Sequence, residues 1–475
     1  MVDFKILSKD DEKLIHDESL RILEQAGIQL ESEKLLNMLK DKGCDVSIDD
    51  HTVKFPGDIV ENALKTAPKK FILGSYDSEN DMYLGEGNSY VSTDGQACFM
   101  YDHKKKERRE TFMKDLTDAA HMADQLDYIK LFWPIVSAGD APEELRTVQE
   151  FIESLKVCGK HFQSDCFSEE QAKLYLKVLD ELLGSREKVI ERKIFSVVCC
   201  PVSPLIFEKD MTEGCCTLAE ADVPVVVLPM PISGTTAPMS LLGTVIQNNV
   251  EVLAGITIFQ LNKPGAPVIY GSAPGILDMA TTLFCLGSPE GSLQNAASGE
   301  MAKYYGLPSL LSCTCTDSKL PDLQSGREKA MTLLPVAMEK PDIICGVGLC
   351  DTSNFYYPEL LVIDEDTIGY ALRIADGIRG GKENTLTDDV IKVGPSGNFL
   401  SQKSTRNYLR NGEHYHPTNT IRESYESWDS SSPDGDLSSL ARKKVDEMLD
   451  APEKSNLPAD LVERLDAILA EAIKK

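Results

Sequence analysis

Eight strand-like segments alternating with helical patterns predict an α/β fold for this chain, most simply a TIM (β/α)8 barrel. The segments are short and apolar without polar alternation, which is typical of parallel strands buried on both faces. They extend over about 270 residues, close to the length of such a barrel. The predicted strands are 89–93, 129–136, 161–164, 194–199, 225–228, 268–270, 309–312 and 343–347. A doubly wound sheet is the alternative, but no GxGxxG motif follows the first strand.

The first 85 residues are predicted to form an amino-terminal helical segment with small strands. Apolar residues recur at helical spacing over 12–24, 32–42 and 56–67. The first two patterns stop at Gly27 and Gly43, and the third stops before Pro68, as helices often do. We therefore divide the chain into this segment, a catalytic barrel over 86–380 and a carboxy-terminal extension over 381–475.

Helical patterns separate the predicted strands and continue beyond them. Within the barrel the clearest are 142–158, 168–183, 239–261 and 291–305, with a further helix at 365–377. Residues 385–432 are polar and irregular, and the Ser, Pro, Asp and Gly content of 430–435 predicts a linker. Two amphipathic helices, 437–449 and 458–473, are expected to cap the barrel or to mediate dimerisation.

Composition excludes several classes of function. The net charge of −27 disfavours nucleic acid as a partner, because phosphate neutralisation dominates such binding, whereas it would attract a cationic ligand. We find neither a signal peptide nor an apolar run of about 18 residues, so we expect a cytoplasmic protein without a membrane segment. The thirteen cysteines are an odd number with no CxxC spacing, which predicts buried thiols rather than disulfides or a zinc site.

Candidate site residues follow the predicted strands, at the end where ligands bind in α/β barrels. No GxSxG elbow or phosphate-binding loop is present, and His414 with His416 offers only a weak metal pair, so we expect no metal site. His161 has the near-neutral pKa of an acid or base, although a hydrogen-bonded structural role is the alternative. Asp94 and Asp317 could offer negative charge to a cation or could cap the next helices.

Four blocks of the sequence resemble, in the same order, the trimethylamine methyltransferase family. They are LRILEQAGIQL, KFPGDIVENALKTAPKKF, GTTAPMSLLGTVIQNNVEVLAGITIFQLNKPGAPVIYG and TDSKLPDLQSGREK. With gaps, the resemblance extends over most of the chain, up to about Trp428. Members of this family are TIM barrels that move a methyl group from a methylated amine to the cobalt of a separate corrinoid protein.

The resemblance implies a methyltransferase whose partner and methyl acceptor is a corrinoid protein, and which binds no cofactor tightly itself. Trimethylamine-specific archaeal members carry pyrrolysine at the barrel mouth, whereas this sequence contains only standard residues. That departure favours a small quaternary amine: glycine betaine, proline betaine, carnitine or γ-butyrobetaine. We also expect a homo-oligomer.

Such a substrate suggests roles for the residues after the strands. A quaternary ammonium has no N–H to donate and binds best against aromatic faces, which the clustered Phe355, Tyr356 and Tyr357 could supply if they do not merely pack the rim. Because Asp317 lies in a block that resembles the family, we favour it for catalysis. His161 is the second catalytic candidate. The other substrate-binding candidates are the aromatic residues Trp133, Phe162 and Tyr270, the acid Asp94, and three partners for a betaine carboxylate, Lys319, Arg327 and Gln163.

Two other functions stay open at this point. A different TIM-barrel enzyme, such as a metal-dependent lyase or hydrolase, would contain metal at the barrel mouth. A non-catalytic betaine-binding subunit would bind the ligand and transfer no methyl group.

Overall fold

Eight parallel strands close into a barrel in the computed structural model, which describes residues 4–431, 435–453 and 457–473. Each strand pairs with the next along the chain, and the eighth pairs with the first. The strands are β1 Tyr90–Thr93, β2 Ile129–Phe132, β3 His161–Asp165, β4 Phe195–Cys199, β5 Val225–Val227, β6 Val268–Ser272, β7 Ser309–Ser312 and β8 Ile343–Val347. The predicted barrel is confirmed and the doubly wound alternative is wrong. Strand β2 ends earlier than predicted because Pro134 offers no amide hydrogen to a ladder.

The amino-terminal segment contains three helices and closes the bottom of the barrel. The helices are α1 Lys9–Gln25, α2 Glu33–Asp41 and α3 Gly57–Thr66. A hairpin of Phe71–Leu73 and Met82–Leu84 packs with the apolar side chains inside the barrel. Its flanks bond to the starts of the strands: the Gly74 carbonyl contacts His161, and Gly85 N–H donates to Asp342, directly before β8. The described residues of this segment therefore fill the barrel from this end.

Nine helices surround the barrel in the part of the chain that the structure describes. They are α4 Met113–Asp124, α5 Arg146–Leu155, α6 Glu169–Leu183, α7 Arg186–Arg192, α8 Lys209–Glu220, α9 Leu241–Asn262, α10 Pro289–Tyr305, α11 Leu323–Glu339 and α12 Pro358–Ala375. Helix α9 is long and apolar enough to cross a membrane by composition, but 72% of that stretch is buried inside the protein. Its apolar character is explained by packing against α1, α3, α10 and the strands.

Short strands and turns complete the loops. The remaining strands are Ile28–Leu30, Asp45–Ser47, Thr52–Lys54, Phe99–Asp102, Glu107–Glu110, Ile206–Phe207, Ile232–Ser233, Gly275–Leu277, Phe284–Cys285, Leu349–Cys350 and Phe355–Tyr356. The 3-10 turns are Ser78–Asn80, Glu143–Leu145 and Lys382–Asn384. Helix α12 begins at Pro358, seven residues before the predicted start, because a proline fits the first helical turn, where no amide donor is needed.

The carboxy-terminal extension packs against the outside of the barrel. Its helices are α13 Thr387–Val393, α14 Lys403–Arg410, α15 Tyr425–Ser431, α16 Leu437–Leu449 and α17 Ala459–Ala472. The segment predicted to be irregular thus contains three short helices, and residues 432–434 of the predicted linker lie outside the described residues. The Asp366 carboxylate of α12 anchors the extension by accepting from Tyr415 Oη, Thr418 N and Asn419 N. Helix α16 lies on α4 and α12, and α17 lies on α6.

Candidate active site

A cavity of about 940 Å³ opens at the carboxyl ends of the eight strands. Each of the first seven strands contributes a residue from its end or from the position that follows it, and β8 contributes its central residue. These residues are Asp94, Trp133, Asp165, Cys200, Leu228, Ala273, Ser312 and Cys345. The loops after β5 to β8 raise the walls, with Met230, Phe284, Asp317, Lys319 and Asp351 among the lining residues. This position is the one at which barrel enzymes bind their substrates.

Asp165 places a carboxylate deep in the cavity. It is the last residue of β3 and shares the inward face of that strand with His161 and Gln163, because side chains alternate along a strand. Burial raises the pKa of Asp165 to about 6, and the neighbouring Trp133 indole opposes the rise. The carboxylate therefore loses its negative charge as pH falls through about 6, and with it the attraction for a cationic ligand.

Asp94 is the second carboxylate of the cavity, and it is buried directly after β1. Burial raises its pKa, whereas the Ser353 hydroxyl and the Gly95 N–H donate to it and favour its ionised form. A side chain at residue 95 would come within 2.9 Å of the Trp133 ring, so only glycine lets the loop lie against that indole. The sequence here thus places an aromatic ring and a carboxylate next to each other.

Asp317 joins three of the loops that surround the cavity. Its Oδ1 accepts from Leu286 N at 3.0 Å and from Gly287 N at 3.2 Å, both in the loop after β6. The same oxygen accepts from Thr352 Oγ1 at 3.0 Å, in the loop after β8. The predicted site residue Asp317 therefore lines the cavity and also holds its walls together.

Lys319 lies on the rim, and its side chain is 63% exposed. Its ammonium is 2.9 Å from Asp351 Oδ1, and hydrogen bonding to that carboxylate raises the pKa of Lys319. Arg327 is not brought to the cavity: it lies on α11, is 71% exposed and contacts Glu328. Of the cationic residues predicted to bind a carboxylate, Lys319 alone lines this cavity.

The aromatic side chains of the cavity are Trp133 and Phe284, and the predicted cluster of Phe355, Tyr356 and Tyr357 does not line it. Phe355 and Tyr356 pair with the strand Phe99–Asp102, and Tyr357 stacks on Tyr101. The three rings are buried on the flank of the barrel because this parallel pairing and the start of α12 hold them there. The prediction that these three rings face the barrel mouth is therefore wrong, whereas Trp133, also predicted, does line the cavity.

Phe162 and Tyr270 face away from the cavity. Phe162 packs with Phe132, Phe151 and Phe195 between the barrel and its outer helices. Tyr270 Oη donates to Asn249 Oδ1 of α9 at 3.0 Å. Both occupy strand positions whose side chains point outwards, so we no longer assign them to substrate binding.

His161 and Gln163 point into the barrel but lie below the cavity. His161 is the first residue of β3, and its ring nitrogens contact the Gly74 carbonyl at 2.6 Å and Ser196 Oγ at 2.9 Å. Gln163 Oε1 accepts from the same hydroxyl at 3.3 Å. Because the bottom of the barrel is filled, neither side chain reaches a substrate at the mouth. This geometry corrects the catalytic role predicted for His161 and the carboxylate-binding role predicted for Gln163.

We expect His161 to contribute to the pH dependence of stability and not to turnover. Burial lowers its pKa from 6.5 to about 4, so the fold favours the neutral ring. A depressed pKa of this kind stabilises the protein above 6.5, and the contribution is lost as pH falls towards 4. In thermal unfolding, His161→Gln should lose less stability than the wild type over that range. A changed pH–rate profile with unchanged stability would contradict this.

Several lining residues carried no clear sequence signal. Phe284, Cys285 and Thr281 lie in the long loop after β6, in which Gly275–Leu277 pairs with Phe284–Cys285. Nothing in the local pattern predicts that this small hairpin folds over the barrel mouth. Asp165 follows the third predicted strand, and strand parity distinguishes it from its neighbours, since it is four residues after His161 on the same face. Ten of the thirteen cysteines are buried, as predicted, whereas Cys98 is exposed and Cys200 and Cys285 are half-buried.

Comparison with known proteins gives a consistent result. The model of the trimethylamine methyltransferase (MTTB) family matches residues 1–474. Trimethylamine methyltransferase MttB of Methanosarcina barkeri (strain Fusaro) is 31% identical over 481 residues, covering 100% of this chain and 96% of that protein. Glycine betaine methyltransferase of Desulfitobacterium hafniense (strain Y51) is 31% identical over 428 residues, covering 90% and 88%.

Structural comparison supports the same fold. The hydroxylamine complex of MtmB superimposes with a TM-score of 0.52 at 13% identity, covering 94% of this chain and 90% of that one. Among the described residues, no group of three or more His, Cys, Asp or Glu side chains is arranged to hold a metal ion. The protein is an enzyme of the methyltransferase type. This assignment is preferred to the two alternatives, a metal-dependent lyase or hydrolase and a non-catalytic binding subunit. With its closed barrel and the match over residues 1–474, this chain belongs to the trimethylamine methyltransferase family.

Proposed function

We propose that this protein transfers a methyl group from a quaternary amine, a small betaine, to the corrinoid of a separate protein in the cytoplasm. The observation that carries the proposal is the convergence of the Trp133 ring with the carboxylates of Asp94, Asp165 and Asp317 in one cavity. A permanent cation without N–H groups is bound by aromatic faces and by negative charge, not by directed hydrogen bonds. This cavity offers both.

A betaine also carries a carboxylate, and among the described residues that line the cavity Lys319 is the one cation that could bind it. Lys319 lies at the rim, whereas the buried acids lie at the strand ends. A zwitterion would therefore bind with its ammonium inside and its carboxylate outside, where Lys319 would exchange Asp351 for the ligand. Relatives of both kinds are equally similar at 31% identity, so the argument for a betaine over trimethylamine rests on a sequence that contains only the standard residues. Glycine betaine, proline betaine, carnitine and γ-butyrobetaine are the candidates.

The reaction requires this protein to bind and position the substrate but not to supply a proton. The partner's corrinoid would supply the Co(I) nucleophile, and no cofactor bound tightly to this chain is required. Loss of a methyl group turns the quaternary ammonium into a neutral tertiary amine, so the departing amine takes up no proton. The residues of the cavity have to hold the methyl carbon towards the opening and to exclude water from the cation. A cavity of about 940 Å³ is near the upper end of the usual range for drug-sized ligands, which leaves room above a small betaine.

Calorimetric titration tests the recognition of the cation directly. We expect glycine betaine or a longer betaine to bind, and 3,3-dimethylbutanoate, its uncharged carbon isostere at the quaternary centre, to bind at least about tenfold more weakly. Tetramethylammonium lacks the carboxylate, so the difference between its affinity and that of the betaine measures the contribution of Lys319 at the rim. Equal binding of the isostere would show that charge at the quaternary centre is not recognised and would contradict the proposal.

We further propose that the enzyme is a homo-oligomer. Helices α13 and α14 bury no residue within the chain, and the extension exposes Ile391, Leu400 and Tyr425 to solvent, each by 70% or more. Short helices need tertiary contacts to be stable, which a second copy would supply. Light scattering should give a multiple of 52.4 kDa, and the double variant Ile391→Asp/Leu400→Asp should shift it towards one copy. A single-copy mass for the wild type would contradict this.

A further inference from the structure

A buried ion pair lies behind the cavity wall, outside the set of residues that line the cavity. Lys329 of α11 and Asp364 of α12 are 2% and 0% exposed, and Nζ lies 2.8 Å from Oδ2. Removing two charges from water is unfavourable, and well-packed apolar residues often replace such a pair without loss of stability. The presence of this pair therefore calls for a reason other than stability.

The pair bonds to the backbone of two neighbouring loops at the points where they leave the barrel. Lys329 Nζ donates to the Thr314 carbonyl at 2.9 Å, two residues after β7. Asp364 Oδ2 accepts from Gly348 N at 2.8 Å, directly after β8. Thr314 has φ of 59° and Gly348 has φ of 96°, so both residues are in left-handed backbone. A β-branched residue such as Thr314 adopts this conformation only where surrounding contacts impose it.

These two loops carry the groups that hold the cavity carboxylates. The loop after β7 contains Asp317, whose own N–H donates to Glu328, the residue before Lys329. The loop after β8 contains Thr352 and Ser353, which donate to Asp317 and Asp94. The ion pair is therefore linked through two short stretches of backbone to both carboxylates.

We propose that Lys329 and Asp364 act as a positioning pair that fixes the directions of the two loops and so keeps Asp317 and Asp94 converged on the substrate cation. The inference rests on the proposed function for the identity of that cation. Neither residue touches the substrate, and the pair acts only through the loops.

The test separates positioning from stability. Lys329→Met should raise KM for the betaine about 10- to 100-fold, the range in which misplacement of binding groups is felt. In Lys329→Met/Asp364→Leu, removal of the unpaired buried charge should raise the unfolding temperature above that of Lys329→Met. KM should stay raised, because the Thr314 carbonyl and the Gly348 N–H remain unbonded. Lys303→Met is the matched control: it breaks the Lys303–Glu339 pair between α10 and α11, where Glu339 is likewise buried, away from both loops. It should lower stability and leave KM unchanged.

Hydrogen exchange gives a readout that does not depend on turnover. In both Lys329 variants, amides of 313–322 and 348–357 should exchange faster without any ligand, and in Lys303→Met they should exchange as in the wild type. Recovery of wild-type KM and exchange by the apolar double variant would overturn the positioning role. Failure of the wild type to bind any betaine would count against the proposed function alone. The hydrogen-exchange measurement would still show whether Lys329 and Asp364 fix the two loops.

Discussion

Replacing Trp133 by leucine should raise KM for the quaternary amine about tenfold, whereas replacing it by phenylalanine should raise KM much less. A cation against an aromatic face gains about 0.5 to 2 kcal/mol, which corresponds to roughly 2- to 30-fold in binding. Leucine keeps the apolar volume but removes the ring, and phenylalanine keeps a ring face. Calorimetry and steady-state methyl transfer would both measure the effect.

Tyr357 provides the control for this experiment. It stacks on Tyr101 on the flank of the barrel and is absent from the cavity lining. Tyr357→Leu should therefore leave KM unchanged even if it lowers the unfolding temperature. A sharp rise of KM in Tyr357→Leu, with no effect of Trp133→Leu, would instead indicate that Phe355, Tyr356 and Tyr357 bind the cation.

Replacing Asp165 by asparagine should weaken betaine binding about 10- to 100-fold at pH 8, since it removes a desolvated negative charge from the proposed cation site. In the wild type, KM should rise as pH falls through about 6, because protonation neutralises this carboxylate. The quaternary ammonium does not titrate, so the change comes from the protein. In Asp165→Asn this dependence should disappear. Binding curves measured between pH 5 and pH 8 would show both effects.

Stability should change in the opposite direction from affinity. Burial raises the pKa of Asp165 above its usual value, so its charge destabilises the folded state as pH rises through about 6. Asp165→Asn should thus be more stable than the wild type at pH 8, by up to about 3 kcal/mol, and equally stable at low pH. A variant with lower stability and unchanged affinity would contradict the assignment.

Glu150 must be separated from Asp165 in these measurements. It is buried behind the cavity, where Ala138 N and Gln96 Nε2 donate to it, and burial raises its pKa to about 7. The variant Glu150→Gln removes its titration while keeping an acceptor for Ala138 N. Persistence of the pH dependence of KM in this variant, and its loss in Asp165→Asn, would attribute the dependence to Asp165.

The barrel was predictable because its strands are buried on both faces and therefore read as apolar runs. Each predicted strand overlaps an observed one, including the short run at Val225–Val227. Helix ends were placed well where glycine or proline stops the pattern, as at Gly27 and Pro68. The start of α12 was missed because its first turn contains Pro358, which we did not recognise as a beginning.

The candidate site was predictable only in part, because position after a strand does not fix the direction or height of a side chain. Asp94, Trp133 and Asp317 directly follow strands or lie in short strand-end loops, and they line the cavity. His161 lies at the wrong end of its strand, and Phe162 on the outward face. The position of Phe355 and Tyr356 depends on their pairing with the strand Phe99–Asp102, about 250 residues earlier in the chain. No local sequence pattern predicts such a distant pairing.

The most direct test of methyl transfer is to mix the purified protein with a reduced Co(I) corrinoid protein and a panel of betaines and methylamines, and to follow the cobalt spectrum. The partner should first be shown competent with another methyltransferase. Our account predicts conversion to methylated corrinoid with one betaine, and little with trimethylamine or with 3,3-dimethylbutanoate. Conversion with trimethylamine alone, or with no member of the panel, would contradict it.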